Sequence, residues 1–319
     1  MKQLTSKLGP ALIIAISLLF PSLGEAIDRT VNCSAGQTIG SVIRSLRDGD
    51  VLKVIGACNE NVAITEPRPN NITLDGGGTA TISGPDATSA VIQIAGRRAN
   101  IQNFASITGG RAGIQLLRGA SATISGNIIQ GVGAQGIIVL QTSFATIVNN
   151  TIQNNLNSGG ISVSESSSAR IGFNTAQDTV ASPNTITGNG TTSGSSGISV
   201  DGNSFAQIVG NTINGNGLGG GAPSGNGISV GQASSAEISS NSIDNNAQDG
   251  IAVGRNSFVQ LGSDTGSGIF DAPNSGSGNG RNGVRCFINS SGDGRIGALT
   301  GNAGASDFST GGCISSLIP

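Results

Sequence analysis

From Gly113 onward the chain repeats one short unit, and that period restricts its fold more than any other feature. The unit reads GIQLLRGASATISGNIIQG at Gly113, GIIVLQTSFATIVNNTIQNN at Gly136, GISVSESSSARIGFN at Gly160, GISVDGNSFAQIVGNTINGN at Gly197, GISVGQASSAEISSNSIDNN at Gly227 and GIAVGRNSFVQLGSD at Gly250. With a further start at Gly283, the shortest spacings are 23 and 24 residues, and insertions lengthen three of the others. A unit this short exposes its apolar side when alone, so it must stack on its neighbours.

Within a unit the apolar residues alternate. Ile198 and Val200, then Ala206 and Ile208, then Ile213 mark three short strands per coil, each with one face inward. Stacking places Ile114, Ile137, Ile161, Ile198, Ile228 and Ile251 in one column, and Ile124, Ile147, Ile171, Ile208, Ile238 and Leu261 in another. Between the second and third strands an Asn recurs: Asn127, Asn150, Asn211 and Asn241, with Asn184 and Asn274 taking the place after insertions. Asn tolerates the left-handed backbone of a tight bend, and its amide can bond the coils above and below.

Residues 61–84 and 90–110 each read as one looser coil, for about ten coils in all. Before them, Ile39, Val42, Ile43 and Leu46 fall at helical spacing behind Thr38 as N-cap. A short helix there would lid the open first coil, whose unpaired strand edges otherwise invite aggregation. The expected fold is therefore all-β, a parallel β-helix of about ten coils with an N-terminal capping helix.

Residues 1–26 have the parts of an export signal: Lys2 and Lys7, the apolar run Ala11 to Phe20, and Gly24-Glu25-Ala26 as the cleavage site. The apolar run is too short to span a bilayer, and no later stretch is apolar enough. The reading is a leader over 1–26, a single domain over 27–319, and a mature chain secreted to the periplasm or the cell exterior. Removing the leader leaves 14 basic and 17 acidic residues, with Lys53 the one remaining lysine, so no surface that tracks phosphates is available for nucleic acid. The 52 Gly suggest disorder until the ordered spacing of the aliphatics is noticed; here small residues make turns.

Four cysteines in an exported chain read as two disulfides. If the coils exist, crossed pairings would have to bridge roughly eight of them, on the order of 38 Å, whereas disulfide Cα atoms lie within about 7 Å. That leaves Cys33 with Cys58 and Cys286 with Cys313, and the same distances remove a four-cysteine metal site.

The opening VNCSAGQTIGSVIRSLRDGDVLKVIGACNENVAIT, followed by these coils, resembles secreted bacterial right-handed β-helix proteins of the pectin-lyase-like superfamily. The resemblance covers essentially the whole mature chain. It implies the right-handed fold and an Asn ladder of the pectate-lyase kind. It does not select a function, because the superfamily holds lyases, hydrolases, epimerases, adhesins and tailspikes.

The chemistry available is narrow. The chain has no His, Trp or Tyr and one Met. That removes imidazole-based catalysis, soft or imidazole metal ligation, and the usual large aromatics of sugar sites. No calcium-loop motif occurs, and no metal or cofactor is expected. On the turn after the first strand lie Arg118, Glu165, Asp201 and Arg255. Glu165 and Asp201 sit on adjacent coils at offsets differing by one, so their carboxylates can lie within about 5 to 7 Å, a range relevant to glycosidase acid and base pairs; the bland alternative is a solvated turn. The residue opening the second strand is Ser121, Phe144, Ser168, Phe205, Ser235 and Phe258, aromatic on every second coil. Rings about 9.6 Å apart either engage every second sugar of a chain or shield the corner. The matching ten-residue insertions in 171–190 and 261–280 are either a binding feature or the trace of a duplicated two-coil unit. The leading functional expectation is a non-catalytic secreted scaffold contacting a polysaccharide or cell-surface glycan. The alternative is a polysaccharide lyase or glycoside hydrolase using Glu165, Asp201 and Arg118 or Arg255.

Overall fold

The computed structural model describes residues 26–65, 69–220, 224–262 and 268–303, together with the backbone of strands Phe308–Ser309 and Ile314–Ser315. The expected leader up to residue 25, and Cys313, lie outside the described residues. Among the described residues no helix is long and apolar enough to cross a membrane.

Three parallel sheets run the length of the chain, one for each strand of the coil. The first sheet has ten strands from Val62–Ile64 to Phe308–Ser309, the second twelve from Asp28–Asn32 to Ile314–Ser315, and the third ten from Ala57–Asn59 to Ala298–Leu299. The register is the one the repeat demands. Ile114 pairs Ile137, then Ile161, Ile198, Ile228, Ile251 and Val284 in the first sheet. Ile124 through Leu261 form the second column, and Ile129, Ile152, Ile186, Ile213 and Ile243 the third. All are buried. A slip of one residue would turn a whole column to solvent, which fixes the pairing.

The bends carry polar stacks that satisfy the backbone where the sheets stop. Asn127, Asn150, Asn184, Asn211, Asn241 and Asn274 form the expected ladder, each Nδ2 donating to the Oδ1 of the next at 2.8–3.1 Å. The expectation that these residues supply the left-handed backbone is corrected. At four rungs the positive φ belongs to the residue before the ladder Asn: Gly126 (67°), Asn149 (56°), Gly210 (72°) and Ser240 (58°). Asn184 and Asn274 follow prolines, and the left-handed residue there is Gly172 (98°) or Gly262 (55°) at the start of the insertion. The ladder residue keeps a backbone that points its own N–H at the next Oδ1.

Two more stacks were not anticipated. Asn155, Asn189, Asn216, Asn246, Asn279 and Asn302 repeat the ladder at the bend after the third strand, at 2.8–3.0 Å. At the bend before the second strand, the N–H groups of Ser143, Ser167, Ser204, Ser234 and Ser257 donate to the hydroxyl of the Ser one coil on, from Ser167 to Ser290.

The N-terminal helix spans Ile39–Ile43, with the Thr38 hydroxyl accepting from Ser41 N–H as N-cap. Ile39, Ile43 and Leu46 bury against the first coil, and Glu60 accepts the N–H groups of Ile39 and Gly40. Cys33 and Cys58 form the expected disulfide, with Cα atoms 5.1 Å apart. Cys286 is buried and disulfide-bonded.

The two insertions leave the second sheet as bulges that meet. Ser182 O accepts Asn149 N–H at 3.1 Å from the coil before, and Ile269 O accepts the hydroxyls of Ser239 and Ser240. The rings of Phe173 and Phe270 then touch edge to face with centroids 5.0 Å apart, spanning the two coils between the bulges. Phe173 is fully buried, outside the aliphatic column.

Candidate functional site

The turn between the first and second strands has one geometry in six successive coils: two left-handed residues followed by a Ser of the hydroxyl stack. The pairs are Gln141-Thr142, Glu165-Ser166, Gly202-Asn203, Gln232-Ala233, Arg255-Asn256 and Ile288-Asn289. Left-handed backbone costs a non-glycine residue roughly 1–2 kcal/mol, so the turn persists because the stacked hydroxyls and interstrand bonds hold it. It is a rigid shelf on which side chains at one offset line up along the solenoid.

Glu165 and Arg255 occupy the first left-handed position, in the row Arg118, Gln141, Glu165, Gly202, Gln232, Arg255 and Ile288. Asp201 belongs to the row before it, with Ser164, Gly231, Gly254 and Phe287. That is the one-residue offset read from the sequence. In the Asp201 row the side chains vanish at Gly231 and Gly254 and return at Phe287, which leaves a cleft of about 250 Å3. Its outward first-strand residues are Ser199 and Ser229, and its rims are Asp201, Gln232, Arg255 and Phe287. A Cβ on Gly254 would lie 2.6 Å from the Phe287 ring, so that ring closes the cleft only over a glycine. The Arg285 guanidinium stacks on the same ring at 4.7 Å, 3.9 Å from buried Asp249.

Burial pushes the Asp201 carboxyl up, the Arg255 guanidinium pulls it back, and the Glu165 charge adds to the rise; the net position lies above the ordinary carboxylate range. The structure thus brings Glu165, Asp201 and Arg255 into one electrostatic group. Arg118 is not part of it, since it lines a separate cavity with Thr65, Gln93, Gly96 and Leu117. Phe287, Gly231 and Gly254 were missed by sequence reasoning. The signal was the position following the last inward residue of each first strand, a Val in five coils and Cys286 in the sixth, where Leu140, Ser164, Asp201, Gly231, Gly254 and Phe287 change size abruptly.

The aromatic row opens the second strand on the far side of the same turn. Phe144 pairs Ser168, then Phe205, Ser235, Phe258 and Ser291, so the rings stand on alternate coils of one outward column. Phe205 and Phe258 are 37% and 41% exposed. Phe144 is half-buried, with the Arg170 guanidinium 5.7 Å from its centroid. In the adjoining column Gln207 Nε2 donates to Glu237 at 2.6 Å. An exposed line of rings with hydroxyls and amides between them offers apolar faces and polar edges together, the combination a sugar ring presents in return. Among the described residues the one metal-type grouping is Cys33, Cys58 and Glu60, whose two sulfurs are spent in the disulfide and whose carboxylate caps the helix.

Comparison with known proteins places the fold. No curated protein matches the chain by sequence. The crystal structure of an alginate lyase from Paenibacillus sp. str. FPU-7 superposes with a TM-score of 0.54 over 92% of this chain and 99% of that one, at 17% identity, which is a likeness of fold. The family model described as a right handed beta helix region matches residues 56–220 and 90–265. With the family's repeat covering well over half its length, the chain belongs to the right-handed β-helix family.

Proposed function

We propose that this chain is an exported, non-catalytic β-helix scaffold that holds an extended polysaccharide along the turn between its first and second sheets. The observation that carries this reading is the row Phe144, Phe205 and Phe258, exposed or half-exposed on alternate coils. Two coil steps are about 9.6 Å. In a β-1,4-linked chain successive rings turn over, so equivalent faces recur at every second sugar, matching one ring per two coils. Ser199, Ser229, Gln232 and Arg255 in the neighbouring cleft supply hydrogen-bonding groups beside that row. The absence of histidine, tyrosine and all but one mature lysine leaves few groups to move a proton near neutral pH.

A second reading, a polysaccharide lyase or glycoside hydrolase, is favoured by one observation: the Asp201 carboxyl sits above its ordinary range with Glu165 beside it. Two neighbouring carboxyl groups, one acting as acid and the other as base or nucleophile, are the pairing that glycosidic-bond cleavage uses.

One experiment separates the two. The exported protein is applied to insoluble cellulose, chitin, mannan and calcium alginate, scoring retained protein and released oligosaccharide. The scaffold reading expects retention on at least one matrix with no release from any. Release that is lost in Glu165→Gln and Asp201→Asn would replace it with the enzyme reading, and failure to bind any matrix would end both.

A further inference from the structure

Asp50 is fully buried at the foot of the capping helix, and its carboxylate faces donors. Oδ2 accepts the N–H of Arg47 at 2.8 Å, and Oδ1 accepts the N–H of Ile27 at 2.9 Å. The Arg29 Nε lies 3.9 Å from Oδ2. Ile27 is fixed from its other side as well, since its carbonyl accepts Val51 N–H at 3.3 Å. The neighbouring Asp28 is engaged elsewhere, 2.6 Å from Lys53 Nζ. So the nitrogen of the residue that the leader pattern places first in the mature chain already touches a buried carboxylate.

We propose that Asp50 is the receiving site for the new N-terminus made by leader removal. The inference rests on the export reading above. Water hydrolyses the Ala26–Ile27 amide; Ala26 departs with the carboxylate, and Ile27 keeps the nitrogen, which takes up protons to become an α-ammonium. The single neutral N–H on Asp50 Oδ1 becomes a charged group with three donors. A charge-assisted bond of this kind is roughly twice as strong as a neutral one. The charges facing the pair are Arg29 and Arg47. Burial raises the Asp50 carboxyl, but the N–H groups of Arg47 and Ile27 and these two guanidinium charges outweigh it, so the group is ionised at neutral pH. Processing therefore tightens the cap that closes the first coil, and the precursor lacks this tie.

An α-amino group titrates near 7.7–8.0 in an unfolded chain. Pairing with a carboxylate raises that value in the folded state. The added stability is then complete below about pH 7.7 and is lost as pH rises through the raised value.

The test expresses the full chain with its own leader in an exporting bacterium, beside a variant with one Ser inserted between Ala26 and Ile27. Intact mass reads each N-terminus. The wild type is expected to start at Ile27, and its Tm is expected to fall by roughly 2–4 °C more than that of the Ser-preceded chain between pH 7 and pH 10. An Ile27 start with superimposable Tm profiles would overturn the docking while leaving the leader reading intact. A start at any other residue would overturn both.

Discussion

Replacing Asn211 by Ala is expected to cost roughly 3–5 kcal/mol and lower the Tm by about 10 °C. Asn211 is 1% exposed at the middle of the ladder and uses every hydrogen-bonding position it has. Its amide nitrogen donates to Ile171 O at 2.9 Å, Val209 O at 3.1 Å and Asn241 Oδ1 at 3.1 Å. Its oxygen accepts the N–H and the Nδ2 of Asn184 at 3.0 and 2.8 Å. Truncation removes the acceptor of the buried Asn184 N–H and of one Asn184 amide proton, the other staying on Ile147 O at 2.8 Å. It also takes a donor from each of the Ile171 and Val209 carbonyls and from Asn241 Oδ1. A buried group left unpaired costs about 1–3 kcal/mol. Among the described residues the side chain of Asn100, on the outward face of the second sheet, bonds the Thr73 hydroxyl alone, at 3.1 Å. Its replacement by Ala is expected to cost less than about 1 kcal/mol. Thermal and chemical denaturation of the two variants check this, and equal losses would mean that the ladder is decoration on an aliphatic column.

Phe173→Ala is expected to cost about 3 kcal/mol, although the residue lies outside that column. The ring is fully buried where the two bulges meet, against Phe270 in an edge-to-face contact at 5.0 Å. Its removal empties the clasp and leaves Phe270 without its ring partner. Val180, at 76% exposure on the same bulge, gives the comparison: its change to Ala is expected to be neutral within about 0.5 kcal/mol. A double-mutant cycle of Phe173 and Phe270 should return a coupling of about 0.5–1.5 kcal/mol. No coupling would show two independent loops. The clasp also bears on the origin of the insertions. Matching bulges that touch across two coils form one structure, whatever duplication produced them.

Strand period, register and the first Asn ladder were legible in the sequence because each is a repeat, and a repeat read once is read many times. Ile198, Ile208 and Ile213 announce their faces by alternation, and the cap announces itself by Thr38 and the spacing of Ile39, Ile43 and Leu46. What escaped was whatever depends on a residue's neighbour in the next coil. Ser204 reads as an ordinary turn serine until its hydroxyl is seen to accept Ser167 N–H at 3.2 Å. Asn216 reads as one more polar residue until its Nδ2 is found 3.0 Å from Asn246 Oδ1. Of the proposed acid–base group, Glu165, Asp201 and Arg255 were named from their offsets, but Arg118 shares a row with Glu165 and Arg255 and still faces another cavity. Position in a row does not tell which side chains on either side are large. Phe287 was passed over for the same reason, because its role depends on Gly254 beneath it.

The row of rings is where the functional account stands or falls. Phe205 and Phe258 are exposed enough to replace without disturbing the core, so the double variant Phe205→Ala, Phe258→Ala is expected to keep the wild-type Tm. The decisive measurement is its binding isotherm, beside that of the wild type, on the matrix that retains the wild type best. If the rings seat the polysaccharide at about 1 kcal/mol or more each, the variant binds at least about 30-fold more weakly. Two folded proteins with the same isotherm would contradict the account, and would move the ligand off this face.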